Sequence, residues 1–488
     1  MNTKPKFRLH FFDDAGMPEQ LRKNLYWVIW SVTIGMIGFV ITAGPVWSAF
    51  QREVLGANDF QLGLISAIPV ATCVLQVYIS YFMEKRRNRR FIFLFLGLVG
   101  RAMWVPIALV PYLFPSFAID LRMWIVIVFV VIISGANSGL NLAFGSLMGD
   151  LVPINIRGSY FGMRQRISLI SGVLAGLLVS AMIDRVGLTG YSIALVLAGI
   201  TLLLDIGCYL FVKWPEMEET HLPKLRVLLR EVFTNKRFLQ IVIFYSCWLF
   251  SVNIAAPFWN IHMLEYLKMN LLQMSMYSQI ISGIASILFV TRWGRLIDRY
   301  GNKPVLQMAA ICIVFSPLPW LFATHETAYI IIFSNVLSGA TWPAIDICQQ
   351  NLYLSQSPKT YRSMYIAVFF ACINLFGVAL PNAVGGYLMQ NPFAFLTAQF
   401  PVVLGLAFSK MHWMLITSVL LRVVVLLIFL PKINEDGAQT LSGTMKGIAK
   451  NRTKQIHRGI SAIRATAIRK QYRRQMLEEI DGVPKDGK

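Results

Sequence analysis

The stretch LQMSMYSQIISGIASILFVTR (272–292), WGRLIDRYGN (293–302), KPVLQMAAICIVFSPLPWLFA (303–323) holds two apolar runs either side of a short charged loop. A helix rises about 1.5 Å per residue, so about 20 residues cross the roughly 30 Å hydrocarbon core of a bilayer. A helix also satisfies its own backbone polar groups there, which an irregular chain cannot do. The stretch therefore reads as a hairpin of two membrane-crossing helices, with Arg295, Asp298 and Arg299 in the water at the turn.

Comparable runs recur outward in both directions, near 24–49, 61–83, 91–113, 123–149, 166–183, 189–212, 238–264, 328–354, 364–388 and 411–431. With the opening pair they make twelve spans, and an all-α integral membrane fold. The expected organisation is a polar segment 1–23, a six-helix unit 24–212, a connector 213–237, a second six-helix unit 238–431 and a basic tail 432–488. Composition agrees. Hydrophobic residues make up 56% of the 488 and charged residues 14%, against about 45–50% and 25% in soluble domains. All six cysteines (Cys73, Cys208, Cys247, Cys312, Cys348, Cys372) fall in apolar runs and read as small buried hydrophobes rather than a disulfide framework. The polar first 23 residues do not look like a secretory leader.

The net charge of +21 is distributed unevenly. With the N-terminus on one side, 38 of the 45 Lys and Arg fall in segments on that side, a basic-rich rim. The opposite, basic-poor rim holds Arg52, Arg122, Arg185, Lys268 and Lys410. By the positive-inside rule both termini are expected in the cytosol, at the cell membrane. The positive charge is thus a topology signal, and no nucleic-acid partner is expected.

The two halves resemble each other at 204–214 residues' separation. Ser134-Gly135-Ala136-Asn137 matches Ser338-Gly339-Ala340-Thr341, and Pro153-x-x-x-Arg157-Gly158-x-Tyr160 matches Pro358-x-x-x-Arg362-Ser363-x-Tyr365. Glu84-Lys85 matches Asp298-Arg299. Parallel repeats of this kind imply a pseudo-two-fold axis along the membrane normal, with a solute site between the halves near the midplane.

Gly294-Arg295-Leu296-Ile297-Asp298-Arg299-Tyr300-Gly301-Asn302-Lys303 resembles the G-x-L-x-D-R-x-G-x-K/R loop of the major facilitator superfamily. Glu84-Lys85-Arg86-Arg87-Asn88-Arg89-Arg90 keeps the acid and the basic run without the glycines, and Asp150-x-x-Pro153-x-x-x-Arg157-Gly158 looks like the acid-x-x-P-x-x-x-R-G loop prominent in sugar porters. No subfamily follows, because the glutamine-rich start of span 7 found in sugar porters is missing. The resemblance implies twelve helices in two bundles, and loops that brace the halves on the cytosolic side when the cavity opens outward. In that role Asp298 and Arg299 would meet the start of span 5 and Glu84 the start of span 11, with Arg157 and Arg362 as partners. The alternative is a basic loop with an incidental acid.

The resemblance also implies that spans 1, 4, 7 and 10 line the cavity. Their polar residues independently share faces at helical spacing. Span 10 carries Asn335, Trp342, Asp346 and Gln349, span 4 carries Asn137 and Asn141, and span 7 carries Asn253 and Asn260. The small residues of span 1 (Gly35 and Gly38) suit helix packing more than solute contact. Arg101 and Asp205, on spans 3 and 6, read as a structural ion pair away from the solute. Arg422 on span 12 lies at the depth of Asp346 and is a candidate partner for it. If the two pair, Asp346 stays ionised; if not, it becomes the candidate proton carrier.

Residues 446–480 alternate basic and apolar residues, as in an amphipathic helix lying on an anionic membrane surface. Amides and an indole suit a small polar organic solute, sugar-like in the first instance, moved by alternating access with or without protons. An exporter of drugs or lipid-like amphiphiles by proton antiport stays open, and a non-transporting membrane receptor is a remote third reading. The scattered histidines and the lack of a phosphate-binding loop argue against an enzyme or a primary pump. No cofactor or metal is expected, and the partners are solute, lipid and protons, with the chain a monomer.

Overall fold

A computed structural model describes residues 17–76, 79, 88–115, 117, 119–153, 156–215, 225–358, 362–403, 406–433, 435 and 442–445. Among them eleven helices are long and apolar enough to cross a membrane, and a twelfth, Asp59–Val74, is shorter. In chain order span 1 is Glu19–Val54, span 2 Asp59–Val74, span 3 Arg89–Leu113, span 4 Ile119–Leu151, span 5 Tyr160–Val186 and span 6 Leu188–Cys208. The second half runs as span 7 Lys236–Glu265, span 8 Leu271–Tyr300, span 9 Asn302–Leu321, span 10 Ala328–Ser355, span 11 Met364–Gln399 and span 12 Lys410–Lys432. The expected tail helix and Glu84 lie outside the described residues.

Lipid tails are as apolar as leucine, so close van der Waals packing rather than hydrophobicity holds such helices together. Small residues mark where they touch. A Cβ added to Gly35 would meet Asp205 Cγ at 2.9 Å, and one at Gly38 the Leu202 side chain at 2.5 Å, so span 1 lies directly on span 6. The repeat has the same consequence in both halves. Gly135 of span 4 faces Leu75 of span 2, and Gly339 of span 10 presses on the Ser282 backbone of span 8. Span 11 uses its glycines on two sides: Gly377 and Gly385 pack on Ser246 and Ile254 of span 7, and Gly386 on Gly63 of span 2.

Several spans are interrupted. Span 1 bends at Gly44-Pro45 and ends in a π-helical turn, Phe50–Val54. Span 7 is helical to Asn253, breaks in a 3-10 turn containing Pro257, and resumes as Trp259–Glu265. Proline lacks the N–H that would continue the ladder. Between spans 11 and 12 the sequence suggests only a loop. The chain there forms a helix, Pro392–Gln399, and a short hairpin pairing Val402 with Ala407 and Val403 with Leu406.

Candidate functional site

The described hydrogen bonds and ion pairs that join the two halves lie toward the basic-poor rim. Arg52 at the end of span 1 pairs with Glu265 at the end of span 7, and stands 3.3 Å from Asp59. Lys410, opening span 12, pairs with the same Asp59. The Asp184 carboxylate of span 5 accepts from the backbone N–H groups of Leu271 and Leu272 at 3.2 and 3.1 Å, where span 8 begins. Such N–H groups are unpaired at any helix start and favour an anion. Ser180 and Ser275 share a hydrogen bond of 2.9 Å one turn further in, and the Asn382 amide of span 11 donates to Ser66 O at 3.1 Å.

Elsewhere several glycines border open space. A Cβ added at Gly145, Gly149, Gly162 or Gly294 would meet nothing within 4 Å. Gly145 and Gly149 follow Asn141 at i+4 and i+8, so this space lies along the Asn141 face of span 4.

The second half holds a cavity of about 200 Å³. Asn260 of span 7, Asn335, Ser338 and Trp342 of span 10, and Arg422 of span 12 line it, as do the indoles of Trp259 and Trp320, whose ring centroids lie 4.6 Å apart with the planes tilted by 60°. Trp320 Nε1 donates to Ser334 Oγ at 2.8 Å, and Ser334 Oγ in turn donates to Ser316 O. Arg422 Nη1 donates to Ile313 O at 2.8 Å and to Ser316 Oγ at 3.4 Å. The guanidinium is therefore held by span 9. No ion pair links it to Asp346 among the described residues, which overturns the pairing suggested by equal depth. Depth alone does not specify azimuth, and span 12 turns this residue toward span 9.

A second cavity, about 190 Å³, opens in the first half among spans 1, 3, 4, 5 and 6. Asn141, Arg101, Arg164, Asp205 and Tyr209 bring polar groups to its wall. Arg101 Nη2 stands 3.6 Å from Asp205 Oδ2. Ser31 Oγ donates to Asp205 Oδ1 at 2.5 Å and lies 3.0 Å from the Tyr209 hydroxyl. Arg164 covers the Phe144 ring, 4.8 Å from its centroid. The Arg101–Asp205 pair thus forms, but it lines a cavity instead of lying apart from one. Span 1 has only glycine at position 35, so Asp205 reaches past it to open space.

The other expected residues divide. Asn253 donates to Leu249 O at 2.9 Å and to Gly377 O at 3.2 Å, so its amide ties span 7 to span 11 and does not line the cavity. Asn137 is half-buried where span 4 passes Gly100 of span 3. Asp346 is exposed and Gln349 half-buried, both beyond the second-half cavity. At 100° per residue Asp346 is about 40° around span 10 from Trp342 and one turn nearer the basic-rich rim. It therefore shares the cavity face. Asp298 and Arg299 are exposed, and no described residue pairs with Asp298. Arg157 and Arg362 open helices, but their side chains, like Glu84, lie outside the described residues. Arg164, Trp259, Trp320, Ser316 and Tyr209 were not singled out from sequence, because each sits within or beside an apolar run and only the assembled bundle turns it inward.

Solved structures share this architecture. A bacterial homolog of the human lysosomal transporter Spinster, in an inward-facing and unoccupied conformation, superposes with a TM-score of 0.65 at 14% identity, covering 87% of this chain and 100% of that one. The nucleoside transporter NupG gives 0.64 at 15% identity over 84% and 99%. A D-xylose–proton symporter gives 0.63 at 16% identity over 84% and 99%. At these identities the likeness concerns the fold. No curated protein matches the chain by sequence. The profile of the Major Facilitator Superfamily matches residues 28–381. The chain, with twelve apolar helices in two pseudo-symmetric bundles, each holding a polar cavity, is a transporter and not an enzyme, and it belongs to the Major Facilitator Superfamily.

Proposed function

We propose that the protein is a secondary transporter that carries a small polar organic solute across the cell membrane by alternating access, as a monomer, with both termini in the cytosol. The observation that carries this reading is the asymmetry of the inter-half contacts. The described charged and hydrogen-bonded contacts between the halves gather on the basic-poor side, and each half holds a polar cavity. If lysine and arginine mark the cytosol, this is an inward-open state. A D-xylose–proton symporter and a nucleoside transporter among the similar folds support a small hydrophilic solute. The boundaries 24–212 and 238–431 then delimit the two moving bodies, joined by the connector 213–237.

Asp346 is the proposed proton carrier. It lies on the cavity face of span 10, and no described cation pairs with it. Asp298 and Arg299 are the proposed cytosolic gate, bracing the two halves when the seam on the other side opens. Reaction of a single cysteine at position 338 with membrane-impermeant thiol reagents in sidedness-controlled vesicles tests the scheme. Reaction from the cytosolic side in the resting protein is expected, and Asp298→Asn should increase it. Reaction from the external side alone would reject the assignment.

A further inference from the structure

Each half-cavity contains more positive than negative charge. In the first half two guanidiniums, Arg101 and Arg164, face one carboxylate, Asp205. In the second, Arg422 is alone. Its residue is only 2% exposed, its described bonds go to a carbonyl and a hydroxyl, and no described carboxylate pairs with it. Its Nε is buried without a partner, as are Arg101 Nε, Arg164 Nε and the Asn335 amide nitrogen. All four are donors, and all four residues line the two cavities.

A buried cation without a counter-charge is strongly unfavourable, and ionisable groups at membrane depth mark solute or ion pathways by default. Unused donors call for a ligand rich in acceptors. The guanidinium fork, held from behind by Ile313 and Ser316, matches the two oxygens of a carboxylate or phosphate. Deepening the transporter reading, on which it rests, we infer that the solute is a small organic anion whose oxyanion docks on Arg422. Its hydroxylated or ring portion lies against Trp259, Trp320 and Trp342, and Arg101 and Arg164 draw it in from the other wall. This replaces the neutral sugar suggested by the amides and indole alone, where Arg422 was only a candidate partner for Asp346.

The test uses Ser338→Cys in the full-length protein in membranes, labelled with sulfonate-bearing or quaternary-ammonium methanethiosulfonates. Each rate is divided by that reagent's rate with a free thiol, and labelling at position 338 is read by peptide mass spectrometry. The normalised rate for the anionic reagent should exceed that for the cationic one by about tenfold. Arg422→Gln should bring the ratio near one, and Arg422→Lys should preserve it. An excess of the cationic reagent in the parent protein, or a ratio unmoved by Arg422→Gln, would overturn the inference. Should Arg422→Gln not fold, the parent ratio alone decides the sign. Gluconate or glucose 6-phosphate should then slow labelling by a neutral thiosulfonate where glucose does not, and whichever acts distinguishes carboxylate from phosphate. Protection by glucose alone would also overturn it. A thiol unreactive to every reagent from both sides would sink the transporter reading as well, whereas inverted charge preference sinks this inference only.

Discussion

Asp59→Asn removes the one acid shared by two cations at the closed rim. Asp59 is 4% exposed, with Arg52 at 3.3 Å and Lys410 paired to it from the other half. At an effective dielectric of about 20 a unit pair at this distance attracts by about 5 kcal/mol, but most of that is offset by the cost of removing the ions from water. Exposed pairs are worth about 0–1 kcal/mol, and breaking a fully buried one costs about 3–5 kcal/mol. Here the acid is buried and the cations partly wet, with side-chain exposures of 21% and 34%, so the closed seam should lose about 1–3 kcal/mol. Asp59 also sits in the first turn of span 2, where a carboxylate interacts with the helix dipole. That contribution is present whether the rim is open or shut and does not bias the equilibrium. The ratio of closed to open rim should therefore fall by about five- to 150-fold, at roughly 1.4 kcal/mol per decade. Spin labels at the exposed positions Leu188 and Tyr329, one in each half near this rim, would report a longer distance population in the variant. Glu265→Gln, which breaks a half-exposed pair, should shift it less. An unchanged distribution in Asp59→Asn would refute the view that these charges hold the rim.

Gly63→Val forces a Cβ to within 2.5 Å of Asn382 O; the overpacked contact between spans 2 and 11 should cost about 1–3 kcal/mol, and an unaltered melting temperature would contradict the packing described. Ser31→Ala removes the hydroxyl hydrogen-bonded to Asp205, for an expected loss of about 1.5–3 kcal/mol, the range for bonds to charged groups; detergent-solubilised melting checks it, and no change would mean the bond is dispensable. Asp346→Asn should abolish the dependence of solute uptake on a pH gradient while leaving exchange intact; a retained dependence would remove the proton role from this residue.

The spans, their number and the two-fold repeat were legible in the sequence because each depends on local apolar length and spacing. Position along a helix was legible too: Asn335 and Trp342, seven residues apart, do reach one cavity. What was not legible is which neighbour each face meets. Asn253 and Asn260 are also seven apart, yet the break at Pro257 sends one to the span 11 backbone and the other toward Ser48, whose hydroxyl accepts from it at 3.2 Å. Arg52 and Lys410 look like incidental loop cations, since their acids lie in other segments and no local pattern pairs residue 59 with residue 410. The span 11 glycines serve close packing on spans 7 and 2.

The most direct test exploits Ser180 and Ser275, whose hydroxyls meet at 2.9 Å across the two halves. With both changed to cysteine and oxidised, the basic-poor rim should be locked shut. A thiol at position 338 should then react with an impermeant reagent from the basic-rich side only, and reduction should restore reaction from both sides. Continued reaction from the basic-poor side with the cross-link complete would contradict the account.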